Sequence, residues 1–465
     1  MTQIAGTPAP SRTEAATRVR AARTQLLLEG PIGPTLARLA APNVLAMFAT
    51  TVTSVAEGVF AGMLGVSALA GLALVFPLIM LTHMLSAGAM GGANSSAVAR
   101  ALGAGNPERA GRLAVCAWII AIAAAICSAL LVAIFGRTLF TALGGGGDAV
   151  TAAIAYALVF FPGCVAVWLC NSTLGLIRGV GNMAVPSLIL LLVSLASIPL
   201  AGALALGWGP VPALGMAGLA AGPIAAFALG ALTALSYVAT GRAGLPLAFS
   251  GLKWELFADI LRVGVIASGN AVQTVLTIVI MVALVGRHGE AALAGYGLGA
   301  RLEFLMIPVV FGIGAAMTAM VGANIGAGDR PRALRIGWTG SFAAAVIVGA
   351  IGILLAVFPD LWLRLFLDAG EAGALEAGRA YFRTIAPFYV FFALGLALYF
   401  ASQGAGRMMW PVVGSVVRMV VAIGGALLLV ATTDLGLNGV FVGIAAGMFA
   451  YGMFTVLAVS ITRWR

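Results

Sequence analysis

The chain has 465 residues, of which 62% are hydrophobic and 9% charged, and its mean hydropathy is +1.10. A water-soluble domain carries about a quarter of its residues as charges, so this apolar excess has to face lipid, and a soluble enzyme is excluded. The net charge of +10 does not point to nucleic acid, because the basic residues stand singly between apolar runs.

In chain order, residues 1–33 read as a polar cytoplasmic tail with Arg12, Arg18, Arg20 and Arg23, lacking the apolar stretch and small-residue site of a cleaved signal peptide. Runs of about 20 apolar residues or more are long enough to cross a bilayer. They fall at 34–62, 67–92, 113–136, 150–175, 184–207, 212–240, 264–286, 292–320, 338–358, 383–401, 411–431 and 437–461. The expected fold is therefore an all-α integral membrane protein of twelve transmembrane helices, in two six-helix parallel-repeat lobes around a central cavity. The N-lobe covers 34–240 and the C-lobe 264–465. Between them, over 241–263, Leu252, Leu256, Ile260 and Leu261 alternate with Lys253, Glu255 and Asp259 in the pattern of a short amphipathic linker helix on the cytoplasmic face.

Eighteen of the 25 Lys and Arg residues fall on the side of the N-terminus, five (Arg137, Arg287, Arg364, Arg379 and Arg383) on the other, and Arg301 and Arg418 within spans. The positive-inside rule then places both termini in the cytoplasm of a multi-pass protein of a bacterial inner membrane. The 62 glycines are expected where helix backbones approach closely. Cys116, Cys127, Cys164 and Cys170 sit in apolar runs and match no metal spacing, so they read as reduced, small hydrophobes.

The halves repeat. Leu102-Gly-Ala-Gly-Asn-Pro-Glu-Arg-Ala-Gly-Arg112 recurs as Ile325-Gly-Ala-Gly-Asp-Arg-Pro-Arg-Ala-Leu-Arg335, an offset of 223. Ala68–Gly71 matches Ala292–Gly295, Arg38 matches Arg262, and Gly179, Gly181 and Pro186 match Gly404, Gly406 and Pro411 at nearly the same offset. An even number of helices separates the copies, so they are parallel repeats about an axis normal to the membrane.

A charge in hydrocarbon costs several kcal/mol, which makes the intramembrane polar residues the first candidates for function. Glu57 lies in helix 1, in Val55-Ala-Glu-Gly-Val-Phe-Ala-Gly62, with no base three or four residues away. A carboxylate there neutralises itself by taking a proton or binding a small cation, the chemistry of an ion-coupling site. The plain alternative is a protonated acid that caps polar groups between packed helices. Arg301 and Glu303 are two residues apart and point to different helix faces, a pattern of a structural network lining the cavity. His83 is a candidate proton relay or a packing residue. Asn43, Asn171, Asn270 and Gln273 are amides able to solvate a cation or substrate, or to bond between helices. Met281, Tyr389 and Phe392 are candidate linings of an adaptable substrate cavity.

Neither Gly-Ala-Gly loop is followed by Lys-Ser or Lys-Thr, so no nucleotide is expected to bind there. With two histidines and no catalytic constellation, an enzyme is not expected, and neither is a cofactor. No charged ring or filter-like segment recurs as a channel requires.

Several segments together resemble the multidrug and toxic compound extrusion (MATE) transporters over nearly the whole chain. They are Glu57-Gly-Val-Phe-Ala-Gly62, the two Gly-Ala-Gly loops, Arg178-Gly-Val-Gly-Asn-Met-Ala-Val-Pro186, Val321-Gly-Ala-Asn-Ile-Gly-Ala-Gly328 and Gln403-Gly-Ala-Gly-Arg-Met-Met-Trp-Pro411. The resemblance implies twelve helices in two lobes and export of amphipathic, often cationic, organic compounds in exchange for H+ or Na+, by a protein expected to act as a monomer. It puts Glu57 where the family usually has the Asp of its N-lobe cation site. The family's helix 5 polar residues are replaced by Ser197-Ile-Pro-Leu-Ala201, and the C-lobe acids of its sodium-driven branch by Thr274 and Ala393. Glu57 is thereby left as the principal coupling acid, which favours H+; were Na+ the coupling ion, Glu57 would be its ligand. A flippase of lipid or lipid-linked glycan with a related fold is the alternative, and needs a cationic cavity for which Arg301 and Arg418 are the candidates.

Overall fold

A computed structural model describes residues 12–209, 211–367 and 371–464, with side chains from Thr17 onward. Residues 1–11 of the expected tail, the Arg12 side chain and Arg465 lie outside the described residues. Fourteen helices follow in chain order among the described residues: α1 Arg12–Glu29, α2 Ile32–Leu64, α3 Val66–Gly103, α4 Pro107–Ala142, α5 Gly147–Gly179, α6 Ala184–Leu206, α7 Gly215–Ala239, α8 Trp254–Gly286, α9 Glu290–Gly326, α10 Arg330–Val357, α11 Asp360–Leu363, α12 Ala372–Gly404, α13 Met409–Thr432 and α14 Leu437–Thr462. All but α1 and α11 are long and apolar enough to span a bilayer, making the twelve expected. Several outrun their apolar runs: α9 has 37 residues. At about 1.5 Å per residue it is far longer than the roughly 30 Å hydrocarbon layer, so its ends project into the interfaces.

Proline is tolerated inside the spans, as Pro42, Pro77, Pro162, Pro199, Pro223 and Pro308 show, because neighbouring helices stabilise the freed backbone. Two irregularities matter for function. Helix α3 widens into a π-helical stretch at Met84–Met90, and α12 tightens into a 3-10 turn at Ala386–Phe388.

The repeat is visible in the turns. Gly105 and Gly328 both adopt left-handed φ, at 71° and 83°. Each lies in a helix-closing turn in which the next amide reaches back five residues, Asn106 to Ala101 at 2.9 Å and Asp329 to Asn324 at 2.9 Å. The same residues then open the next helix, the Asn106 side chain accepting from the Arg109 amide and Asp329 from the Arg332 amide, both at 2.9 Å. Each Gly-Ala-Gly loop is thus a stop for one helix and a start for the next.

The expected linker helix over 241–263 is not a separate element. Residues 245–253 are not helical, and α8 runs unbroken from Trp254 to Gly286. The apolar side of its first turns, Leu256 and Ile260, is buried in one cluster with Leu113 and Ala234 of the first half, so it seals protein against protein and does not rest on lipid. Part of the polar tail is likewise ordered. Helix α1 donates from Arg20 to the Gly244 carbonyl at 2.7 Å, buries Leu27, and presents the Leu27 carbonyl to Asn324 at 3.0 Å.

The two halves meet on the face that carries the termini, here called the terminus face. The contact is a crossing of α3 with α9 without side chains between them. A Cβ on Gly103 would overlap the Ala323 carbonyl, and one on Gly326 would overlap the Arg100 carbonyl. Gly103 and Gly326 are repeat mates, as are Arg100 and Ala323, so the crossing is two-fold and self-complementary. At the far face, the cluster around Phe60, Tyr156, Phe160 and Leu219 contains first-half residues alone.

Gly103→Leu is expected to wedge the terminus face apart. With the native cysteines replaced, a cysteine placed at Ala99, beside Gly322 in the crossing, should react with maleimide several-fold faster in that variant; an unchanged rate contradicts the close approach. On the far face, Asp360 accepts from Arg379 at 2.7 Å on each oxygen and from Arg364 at 3.1 Å. These guanidinium groups, Arg379 first, hold its carboxyl well below the usual range. The stability they add is present above the ordinary carboxyl pKa and is lost as pH falls through the depressed one. The melting temperatures of the parent and Arg379→Gln should therefore differ at neutral pH and converge in strong acid.

Candidate functional site

Glu57 projects from α2 seven residues before its end at Leu64, roughly 10 Å or two turns from the far face. This is deeper than the apolar run ending at residue 62 implies, because the helix continues to Leu64. Glu57 is half-buried as a residue, beside Phe60 and Ala61, which are buried in the far-face cluster. From α5 comes Tyr156, fully buried, stacked on Phe160 at 5.8 Å, and close enough for the charge of Glu57 to act on its hydroxyl. That hydroxyl has no hydrogen-bond partner, and neither does Trp168 Nε1 in the same cluster. Glu57 therefore stands near one unused donor, the Tyr156 hydroxyl, in an otherwise apolar wall.

Tyr156 was not singled out from the sequence, yet a signal existed: its repeat mate, 225 residues on, is Tyr381. In the second half, Tyr381 donates a short hydrogen bond to Glu303 of α9, and Tyr389 donates to the Tyr381 hydroxyl at 3.3 Å. Arg418 lies over the rings of Phe392 at 5.4 Å and Tyr451 at 5.6 Å, within electrostatic reach of Glu303. The lobes thus hold an acid and an equivalent tyrosine each, but from different helices and with different freedom. Glu303 is tied; Glu57 is not.

The other candidates are dispersed. Asn43 is buried near the opposite end of α2, accepting from Ser187 at 3.0 Å. Asn171 donates to Ser86 in the π-helical stretch at 2.9 Å, and His83 at its edge rests on Phe227 with ring centroids 5.4 Å apart. Gln273 donates to Thr277 at 2.8 Å while its Oε1 has no partner, and Asn270 lies half-buried one turn before it. Met281, the repeat mate of Glu57, is 3% exposed and fills the second-half core, as the buried Tyr389 does. Arg301 is exposed, 5.9 Å from the ring of Phe366, and contacts neither acid through an ion pair.

Sequence reading also missed the latch at the terminus-face seam. Asp259 of α8 pairs with Arg100 of α3 at 2.6 Å and with Arg109 of α4 at 2.9 Å. Ser96 donates to the carbonyls of Gln403 and Gly404 at 2.6 and 2.9 Å. Gln403 in turn donates to Gly88 and Ala89, carbonyls of the π-helical stretch, at 3.1 and 3.2 Å. Polar groups from both halves thus meet on this face.

A family model described as MatE matches residues 42–202 and again 266–428. The chain belongs to the MatE family. The two matched stretches begin 224 residues apart, the offset of the repeat. Among curated relatives, an FAD transporter of Shewanella oneidensis is 26% identical over 66% of this chain and 68% of its own length. A probable multidrug resistance protein, YoeA of Bacillus subtilis, is 26% identical over 86% of this chain and 87% of its own. A solved transporter of the MOP superfamily from Pyrococcus furiosus superposes with a TM-score of 0.87 at 25% identity, covering 95% of this chain and 97% of that one. The outward-facing structure of a multidrug resistance MATE transporter does so with a TM-score of 0.86 and the same identity and coverage. This MATE protein is therefore a multi-pass membrane transporter and not an enzyme.

The two tyrosines separate by stability. Tyr381→Phe removes a hydrogen bond to a carboxylate, worth about 1.5–3 kcal/mol, and should lower the melting temperature in detergent. Tyr156→Phe removes a hydroxyl with no partner and should leave it nearly unchanged. Equal losses in both variants contradict the asymmetry.

Proposed function

We propose that this chain is a secondary antiporter that exports organic, cationic or amphipathic compounds by alternating access, with Glu57 as the group that carries the coupling proton. The observation that carries the reading is the isolation of Glu57, an acid in the spans without an ion-pair or hydrogen-bond partner among the described residues, set against apolar side chains and the free Tyr156 hydroxyl. A carboxylate in such surroundings costs several kcal/mol, and protonation removes that cost. Coupling then requires that Glu57 hold its proton with different affinity in the two states, as it does if water reaches it from the far face in one and from the terminus face in the other.

The surroundings of Glu57 favour a proton over sodium. Sodium, as a hard cation, takes several oxygen ligands, and near Glu57 the Tyr156 hydroxyl is accompanied by Phe60, Ala61 and Phe160, which supply none. The bias of Lys and Arg to the terminus face supports cytoplasmic termini, so that the far face is the outside. An exporter also fits better than a flippase, because Arg418 is committed to two aromatic rings and Glu303, and Arg301 is exposed. The FAD carried by the Shewanella relative is an anion, so a panel of substrates should span both charge signs.

The test is efflux from proteoliposomes under an imposed pH gradient, and separately a sodium gradient, for the parent and Glu57→Gln. The parent should accumulate substrate uphill under the pH gradient, and the variant should lose uphill accumulation while keeping downhill exchange. A variant that accumulates at the parent's rate removes Glu57 from the mechanism, and a parent driven by sodium alone replaces the proton.

A further inference from the structure

A groove of ≈ 530 Å³ runs along the α6–α7 hairpin in the half of the bilayer next to the terminus face. Leu188, Leu192 and Leu232 line its inner end, each more than half exposed on helices that face lipid. Tyr237, Thr240 and Arg242 line its outer end, where α7 stops at Ala239. From Leu232 to Thr240 the chain rises roughly 12 Å, so the groove stays within one leaflet of the roughly 30 Å hydrocarbon layer.

The hairpin does not by itself require this groove, as the repeat shows. Leu214–Arg242 aligns with Leu435–Arg463 at an offset of 221. A Cβ on Gly222 would overlap Ala201, and one on Gly443 would overlap Ala426, so the α6–α7 and α13–α14 hairpins pack alike. Val185 and Thr233 line the groove. At their repeat positions stand Trp410 and Phe454, whose ring centroids lie 6.3 Å apart. Small side chains thus leave open in the first half what two aromatic rings occupy in the second.

Arg242 is exposed and pairs with no acid among the described residues, and no acid lines the groove. Arg20 brings a second cation to the same turn, donating to the Gly244 carbonyl at 2.7 Å. The Tyr237 hydroxyl accepts from Asn182 at 3.2 Å, which leaves its own proton to donate. An apolar cleft one leaflet deep that ends in an arginine at the membrane surface matches a lipid with its acyl chain inward and an anionic headgroup outward. We propose that the groove holds one anionic phospholipid, its acyl chain against Leu188, Leu192 and Leu232 and its phosphate at Arg242 and Tyr237. Arg463 repeats Arg242, but Trp410 and Phe454 deny it the apolar half of such a site.

The test is native mass spectrometry of the full purified chain in detergent, with phosphatidylglycerol and phosphatidylcholine of the same acyl chains as probes. The parent should retain one phosphatidylglycerol at concentrations where phosphatidylcholine is lost. Val185→Trp, which copies the second half, should lose that lipid. Arg242→Gln, a change at an exposed position, should weaken its binding about five-fold, and decides the matter should Val185→Trp fail to fold. The melting temperature of the parent should climb and saturate with phosphatidylglycerol and stay flat with inorganic phosphate. Equal retention of the two lipids by the parent, unchanged binding in Arg242→Gln, or the same thermal rise with inorganic phosphate overturns the site. So does a dimer that Val185→Trp dissociates, which gives the groove to a second copy of the chain.

Discussion

The architecture hangs on one close approach, the crossing of α3 and α9 where backbone meets backbone at Gly103 and Ala323, and at Gly326 and Arg100. In lipid, apolar side chains gain little by leaving one hydrocarbon surface for another, so helices associate through packing and polar bonds, and small residues permit both. Here the small residues bring the helices near enough for Ser96 to reach the carbonyls of α12 and for Gln403 to reach those freed by the π-helical stretch of α3. Each bond depends on the absence of a side chain at the crossing. The seam is thereby held by polar bonds between the two halves as well as by packing.

The second organising feature is the breaking of the repeat's symmetry by charge. Backbone turns are reproduced from one half to the other down to individual hydrogen bonds, yet the acids are not: Glu57 is matched by Met281, and Glu303 by Ile79. Tyr156 and Tyr381 are conserved between the halves, and each faces a different acid. A duplicated scaffold has thus kept its packing while its ionisable groups diverged. In the second half the acid is fastened by Tyr381 and an arginine lies nearby, an arrangement that holds structure. In the first half the carboxyl is left without such restraint, which leaves its charge free to change.

Span positions, the repeat, the Gly-Ala-Gly turns of the terminus face and Glu57 as the first-half acid were all legible in the sequence, because each depends on local composition. An apolar run of sufficient length must be a helix in lipid, since no other structure there satisfies its backbone. Gly-Ala-Gly followed by Asn-Pro or Asp-Arg-Pro stops one helix and caps the next through contacts within six residues. The linker was misread for the same reason: the amphipathic pattern of Leu256 and Ile260 reports that one side is covered, and does not report by what. Lipid surface and a neighbouring helix leave the same pattern.

The sequence alone determined the number of helices, their pairing into two equivalent sets, and which side chains carry charge into the membrane, since these follow from length, repetition and hydropathy. Only the tertiary structure decided which charges have partners. It joined Asp259 to Arg100 and Arg109, 159 and 150 residues away, gave Glu303 a tyrosine 78 residues on, and left Glu57 and Arg178 without ion pairs among the described residues. Electrostatic compensation acts over a few ångströms between helices remote in the chain, and the order of residues carries no direct record of that distance.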